Sequence, residues 1–380
     1  MAKPEAIIQL EKQLNIKFKK VYLEEIINYK LEMTAEYSID QNGNINGFCL
    51  AYLHLTKLVV PIESMNSLLF LNLGSNIIKD ITMLKYFKKL TKLRLEDNSI
   101  SNISVLKYLT ELTEIEIGSN YITNISVIKY LQKLIKLDLS FNRIADISAL
   151  NDQQKLYELY LYSNKISDIS SVKNYKLLKV INLGGNVIED ISPLKDIISL
   201  VEILLHNNII SDISPLQKLQ NLRRLVLSNN QIQRIHPLKN LKRLIDLSLD
   251  LNIIPDISAL KTLKRLTNLY LSYNQISDIS VLIEFKNLKM LDLNDNLIID
   301  ISVLKELKSL YQLDLRRNPI NKLPFWICNF NMEIQWDDHS EQNDITLYGN
   351  PIESPPIEII KQGKMKIKEW FEQQKKYGKE

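Results

Sequence analysis

The residues able to do chemistry are few, and they sit far apart along the chain. Four histidines (His54, His206, His236, His339) and two cysteines (Cys49, Cys328) are spread over 380 residues. A metal centre needs several such ligands to converge, and a nucleophilic site needs a base within hydrogen-bond reach. Neither spacing occurs here. The carboxylates Glu114 and Glu116, and Asp292 and Asp295, are close neighbours. They could work as an acid–base pair only if burial split their pKa values, and an alternating strand pattern turns them to solvent instead. Gly363-Lys364 is followed by Met365 and lacks the upstream glycine of a phosphate-binding loop. No catalytic residue, cofactor or metal is therefore expected. The two cysteines read as reduced thiols of a cytoplasmic protein.

The bulk properties agree. A net charge of +4 with 24% charged residues lacks the concentrated positive charge of a nucleic-acid binder. No segment approaches the ~18 apolar residues needed to cross a bilayer. The first twenty residues hold no uninterrupted apolar run of signal-peptide length.

What positions the few polar residues is a repeat. Asparagine recurs at Asn76, Asn98, Asn120, Asn142, Asn164, Asn186, Asn208, Asn230, Asn252, Asn274, Asn296 and Asn318, always 22 residues apart. Around each the pattern is L-x-x-L-x-L-x-x-N-x-I, as at Leu134, Leu137, Leu139, Asn142 and Ile144. The alternation predicts a short strand with two side chains inward, and strands of successive repeats can pair in parallel. The asparagine falls where the chain turns off the strand. Its amide can satisfy buried backbone groups, so this ladder is expected to be structural. The second half reads D-I-S-x-L, in which serine is suited to cap a short helical turn. One repeat departs, with Arg234, Ile235, His236 and Pro237, and predicts an altered turn there.

This pattern resembles the leucine-rich repeat in its internalin-type 22-residue form, over roughly residues 45–325. The resemblance implies an α/β repeat solenoid, a horseshoe with a curved parallel sheet on its concave face and helical caps at both ends. Residues 1–44 read as an N-terminal cap, with helical patterns at Ala6–Leu14 and Val21–Leu31 and a hairpin around Gln41–Asn44. Residues 326–380 read as an irregular last repeat, with a hairpin or loop near Ile334–Asp344, followed by a closing helix bearing Ile357, Ile360, Ile367, Trp370 and Phe371. The segment GNPIESPPIEIIKQG with its amphipathic helix is similar to the junction of bacterial Roco proteins, where repeats meet a Ras-like GTPase domain named Roc. That resemblance implies a repeat region that senses partners for such a GTPase. The chain ends at Glu380, where a Roc domain would begin, so GTP binding is not expected of these residues.

Function should then lie on the outward strand positions: six, four, two and one places before each asparagine. These columns hold twelve acids against six bases, which favours a basic or mixed apolar and basic protein partner. The expected binding residues are Phe141, Glu158, Tyr160, Tyr162, Val180, Leu204, His206, Arg224, Val226, Asp246, Asp250, Tyr270 and Tyr273, with tyrosines as anchors. Neither nucleic acid nor a membrane is expected to bind. A lysine column nine residues after the asparagines (Lys85, Lys107, Lys129, Lys173, Lys195, Lys239, Lys261, Lys305) reads as a solvated convex ridge. Two other readings are weighed: a stand-alone or exported internalin-like scaffold, and an enzyme subunit whose catalytic domain lies beyond Glu380.

Overall fold

A computed structural model describes residues 3–28, 35–58, 65–338 and 344–376, which divide into two compact units, 1–187 and 188–380. The first unit opens with helices α1 (Glu5–Leu14) and α2 (Leu23–Asn28) and strands β1 (Lys19–Lys20), β2 (Ala35–Ile39) and β3 (Ile45–Leu50). The end of the second expected helical pattern lies outside the described residues. The Glu11 carboxylate closes the turn after α1, accepting from Lys3 Nζ at 2.6 Å and the Phe18 N–H at 2.8 Å. β2 and β3 form the expected antiparallel hairpin. β3 also pairs in parallel with β4 (Phe70–Asn72), so one strand is both cap and first rung.

From there each repeat adds one three-residue strand: β5 (Lys92–Arg94), β6 (Glu114–Glu116), β7 (Lys136–Asp138), β8 (Glu158–Tyr160) and β9 (Val180–Asn182). The register is constant, with Leu71, Leu93, Ile115, Leu137, Leu159 and Ile181 aligned. The second unit repeats the plan in β10 (Glu202–Leu204), β11 (Arg224–Val226), β12 (Asp246–Ser248), β13 (Asn268–Tyr270), β14 (Met290–Asp292) and β15 (Gln312–Asp314). Between strands the chain returns through a short 3-10 turn, such as Ser104–Tyr108 or Ser258–Thr262. Apolar side chains at every inward position are almost fully buried, and a parallel sheet backed by turns puts them there.

The asparagine amide ties neighbouring repeats together. Asn142 Nδ2 donates to the carbonyls of Ile117, Leu139 and Ser140 at 3.0–3.2 Å, and its Oδ1 accepts the Ile122 N–H at 2.9 Å. Asn98, Asn252 and Asn296 make the same set. Asn350 continues it beyond the regular spacing, donating to Leu315 and Leu347. Reaching that amide, the residue before each of the twelve ladder asparagines adopts a left-handed backbone, with φ between 51° and 64°.

Four expectations change. Serine does not cap the 3-10 turns with its side chain; the preceding aspartate does, as Asp146 Oδ1 accepts the Ser148 N–H at 2.8 Å. The aspartate lies two residues earlier, where its oxygen reaches the first free N–H. The turn at His236–Asn240 is not altered, and its leading residue Ile235 has φ −109° and ψ 13°, as in the other repeats. Only the carboxylate acceptor is lost. Of the hairpin or loop expected near Ile334–Asp344, the hairpin is excluded: β16 (Glu333–Gln335) and β17 (Asp344–Thr346) run parallel, and β17 pairs with both β16 and β15. Finally, the closing helix is two, α3 (Ile357–Ile360) and α4 (Lys364–Lys376), separated at Gly363 by φ 85°. Ile360, Ile367 and Phe371 are buried, and the Phe371 ring packs edge-on to Phe325 at 5.7 Å.

Removing the ladder amide should unfold the chain more readily. Asn142→Ala leaves three buried carbonyls and an N–H without this partner, and each such group costs about 1–3 kcal/mol. A clear drop in urea midpoint is expected; an unchanged midpoint would mean the ladder is not structural.

Candidate functional site

The outward strand positions form an open face in each unit. In the first, the bases are already engaged: Lys92 with Glu114 at 2.7 Å, Arg94 with Glu116 at 3.0 Å and Lys136 with Glu116 at 2.6 Å. Arg94 also lies over the buried Phe70 ring, so it is itself buried, against the expectation of an exposed cation. Next to this charged ladder comes an aromatic step. Phe141 and Tyr162 meet edge to face at 4.9 Å. Tyr162 also covers Gly185, where an added Cβ would meet its ring at 3.2 Å. Tyr160 donates to Glu158 at 3.1 Å and lies 5.9 Å from Lys136 Nζ. Val180 stands beside it, half-buried, on β9. The structure thus brings Phe141, Glu158, Tyr160, Tyr162 and Val180 together.

In the second unit, Arg224 is shared between Glu202 at 3.1 Å and Asp246 at 3.5 Å. His206 is half-buried, and burial with the Arg224 charge lowers its pKa. Leu204 and Val226 line the same strands. Asp250 accepts from Ser248 at 2.7 Å, from Ser228 at 3.1 Å and from the Ser272 hydroxyl at 2.9 Å, so hydroxyls rather than a cation hold its charge. Tyr270 reaches toward Met290 Sδ at 3.5 Å. Beyond it lies a half-buried carboxylate that the expected set omitted. Asp292 is pushed up to about 7, first by burial and then by the nearby Asp314 charge. Asp314 is fully buried and is clamped by Arg316 at 2.6 Å. His339 lies outside the described residues. Among the described residues no group of three histidine, cysteine or acidic side chains could hold a metal, and no helix is long and apolar enough to cross a membrane.

The left-handed residue before each asparagine separates two kinds of repeat. Most carry serine, aspartate, asparagine or glycine there, which tolerate that backbone. Four do not: Arg317, which pairs with Asp295, and the uncharged Phe141, Leu251 and Tyr273, which adopt φ 54°, 54° and 51° and are 53%, 47% and 47% exposed. A bulky apolar side chain that is both strained and wet points to a role other than stability. Leu251 was missing from the expected set, because spacing alone does not reveal the sign of φ.

Against known proteins, residues 132–174 and 264–306 match the family described as leucine-rich repeats (two copies), and residues 220–276 match that described as leucine-rich repeat. An internalin (inlF) from Listeria monocytogenes is 34% identical, with 78% of this chain and 85% of that chain covered and a TM-score of 0.71. The chain belongs to the leucine-rich-repeat family. A leucine-rich-repeat protein of Leptospira interrogans shares the fold at 24% identity and a TM-score of 0.74, covering 95% of this chain and 90% of that one. InlJ of Listeria monocytogenes does so at 21% identity and a TM-score of 0.65, covering 82% and 64%. No curated protein matches.

Within this leucine-rich-repeat protein, two substitutions should stabilise. Leu251→Asn relieves the left-handed strain and should add about 1 kcal/mol. For Asp292, the folded pKa of about 7 exceeds the ordinary 3.8, so the folded state holds the extra proton between those values. Stability from this group is present below pH 4 and is lost as pH rises to 7. Asp292→Asn should therefore match the parent near pH 4 and exceed it at pH 8, by on the order of 2 kcal/mol. Parallel pH–stability curves for the two proteins would refute the assignment.

Proposed function

We propose that the chain is a non-catalytic protein–protein interaction module that holds a basic or mixed apolar and basic protein partner on its open strand face. The observation that carries this is the pair Phe141 and Tyr162. The pair is preorganised edge to face, with Phe141 on a left-handed backbone and half-exposed. Rigid aromatics of this kind serve as binding anchors. Phe141→Ser with Tyr162→Ala should reduce partner capture by the immobilised protein at least tenfold while leaving the melting temperature within about 2 °C. Undiminished capture of the same partners would overturn the reading.

The finer reading is the partner-sensing repeat region of a Roco-type GTPase, acting in the cytoplasm in signalling. It rests on residues 349–363 and the amphipathic α4 that follows. A second reading, an exported internalin-like scaffold that meets host proteins, is favoured by the 34% identity with the Listeria internalin. The reading frame beyond Glu380 discriminates: a G-x-x-x-x-G-K-[ST] loop there supports the first, and a stop codon there removes it.

A further inference from the structure

The second unit carries a second, chemically different patch on the same kind of face. On adjacent repeats Leu251 donates its N–H to the Ser272 carbonyl and Tyr273 to the Asn294 carbonyl, which sets their exposed side chains on neighbouring turns. Ile253, 44% exposed, extends the shelf on the far side of Asn252. An apolar shelf on a strained backbone is half of a recognition site.

The other half is electrostatic. Beside the shelf stand Asp250, Asp292 and Asp314. The bases of this unit's face are committed elsewhere: Arg224 to Glu202 and Asp246, Arg316 to Asp314, Arg317 to Asp295 and Asp338. Asp292 has no cation within ion-pair distance among the described residues; it accepts only from Asn294, at 2.6 Å from the side chain and 3.1 Å from the N–H. Asn294 is only 5% exposed. Its Nδ2 lies between Asp292 and Asp314, and its buried Oδ1 has no donor. A carboxylate that takes both of its donors on one oxygen and has no cation, on the open face, calls for a group with several N–H donors and a positive charge. A guanidinium presents five such donors in a planar fork.

We infer that the face of β12 to β14 docks a protein segment bearing an arginine beside an aliphatic or aromatic residue, the arginine on Asp292 and the apolar neighbour on Leu251, Ile253 and Tyr273. This rests on the reading of the open face as a binding surface and names the partner chemistry for its second unit. Charge complementarity decides for a basic segment, since a neutral or acidic one would leave Asp292 without a cation in a partly dehydrated site.

Random dodecapeptides displayed on phage and selected on the full chain provide the test, with the enriched peptides measured by fluorescence anisotropy. Enrichment of arginine next to Leu, Phe, Tyr or Trp is expected. Binding should fall at least tenfold with Leu251→Ser plus Tyr273→Ser, with Asp292→Asn, and when citrulline replaces the peptide arginine. Thermal melts establish that each variant is folded, and Asp292→Asn is expected to be the more stable protein. Phe141→Ser with Tyr162→Ala should leave this peptide binding unchanged. Selection of neutral or acidic peptides, failure to select any, or binding indifferent to Asp292→Asn overturns the inference. If peptides are lost only with the Phe141 and Tyr162 variant, the open face still binds partners and only this assignment falls.

Discussion

The constraint on which everything else depends is that a chain turning sharply off a three-residue strand leaves carbonyls and N–H groups inside the molecule. Strands this short cannot satisfy them, and the 3-10 turns are too distant. One asparagine amide per repeat does it, donating to its own turn and to the preceding repeat, and accepting an N–H from that repeat. Buried polar groups left unmet would cost more than the small strand contributes. The amide reaches both its own turn and the one before at a spacing of 22 residues from Asn76 to Asn318, and Asn350 keeps the same kind of contact across a longer step.

The left-handed residue is the geometric consequence of that clamp. Swinging the asparagine inward requires the preceding residue to take positive φ, and the same rotation throws that residue's side chain outward. Each repeat therefore has one position where backbone strain and solvent exposure coincide. Serine, aspartate, asparagine and glycine meet both demands at little cost. Phe141, Leu251 and Tyr273 meet neither, and each borders the polar face where the strand carboxylates gather. The turns on the other side are closed by aspartates that accept serine N–H groups, and Lys85, Lys107 and Lys129 lie against Tyr86, Tyr108 and Tyr130, so that ridge is internally matched.

Much of this was legible in the sequence because periodicity reports inward and outward directly. The asparagine ladder, the strand register and the hairpin at Ile39–Ile45 follow from residue type and spacing alone. What escaped depends on contacts between repeats or on backbone sign. Gln153 and Tyr175 occupy, in successive repeats, the slot held by Phe87, Leu109 and Leu131 earlier, yet both are buried, because each finds a carbonyl one repeat back: Ile128 at 3.0 Å and Leu150 at 2.5 Å. The parallel pairing of β16 with β17 was hidden by the irregular stretch between them, which has no period to read. Asp292 looked like any outward acid of the strand pattern. Its unusual state comes from partial burial and from the Asp314 charge on the next repeat, with Asn294 between them, a grouping that only the folded register assembles.

A face built this way separates stability from recognition. The inward positions and the amide ladder hold the repeats together, so outward residues are free to be poor choices for folding. Asp292 and Leu251 are poor in different ways, one a dehydrated acid and one an exposed hydrophobe in strained backbone. Neither defect is relieved by its own repeat, and both would be relieved by one partner segment that brings donors to the acid and apolar surface to the shelf. Were the two simply tolerated, they would have no reason to be complementary to the same ligand. Their placement two repeats apart on one face, with Tyr273 on the repeat between, therefore supports recognition more than either feature does separately.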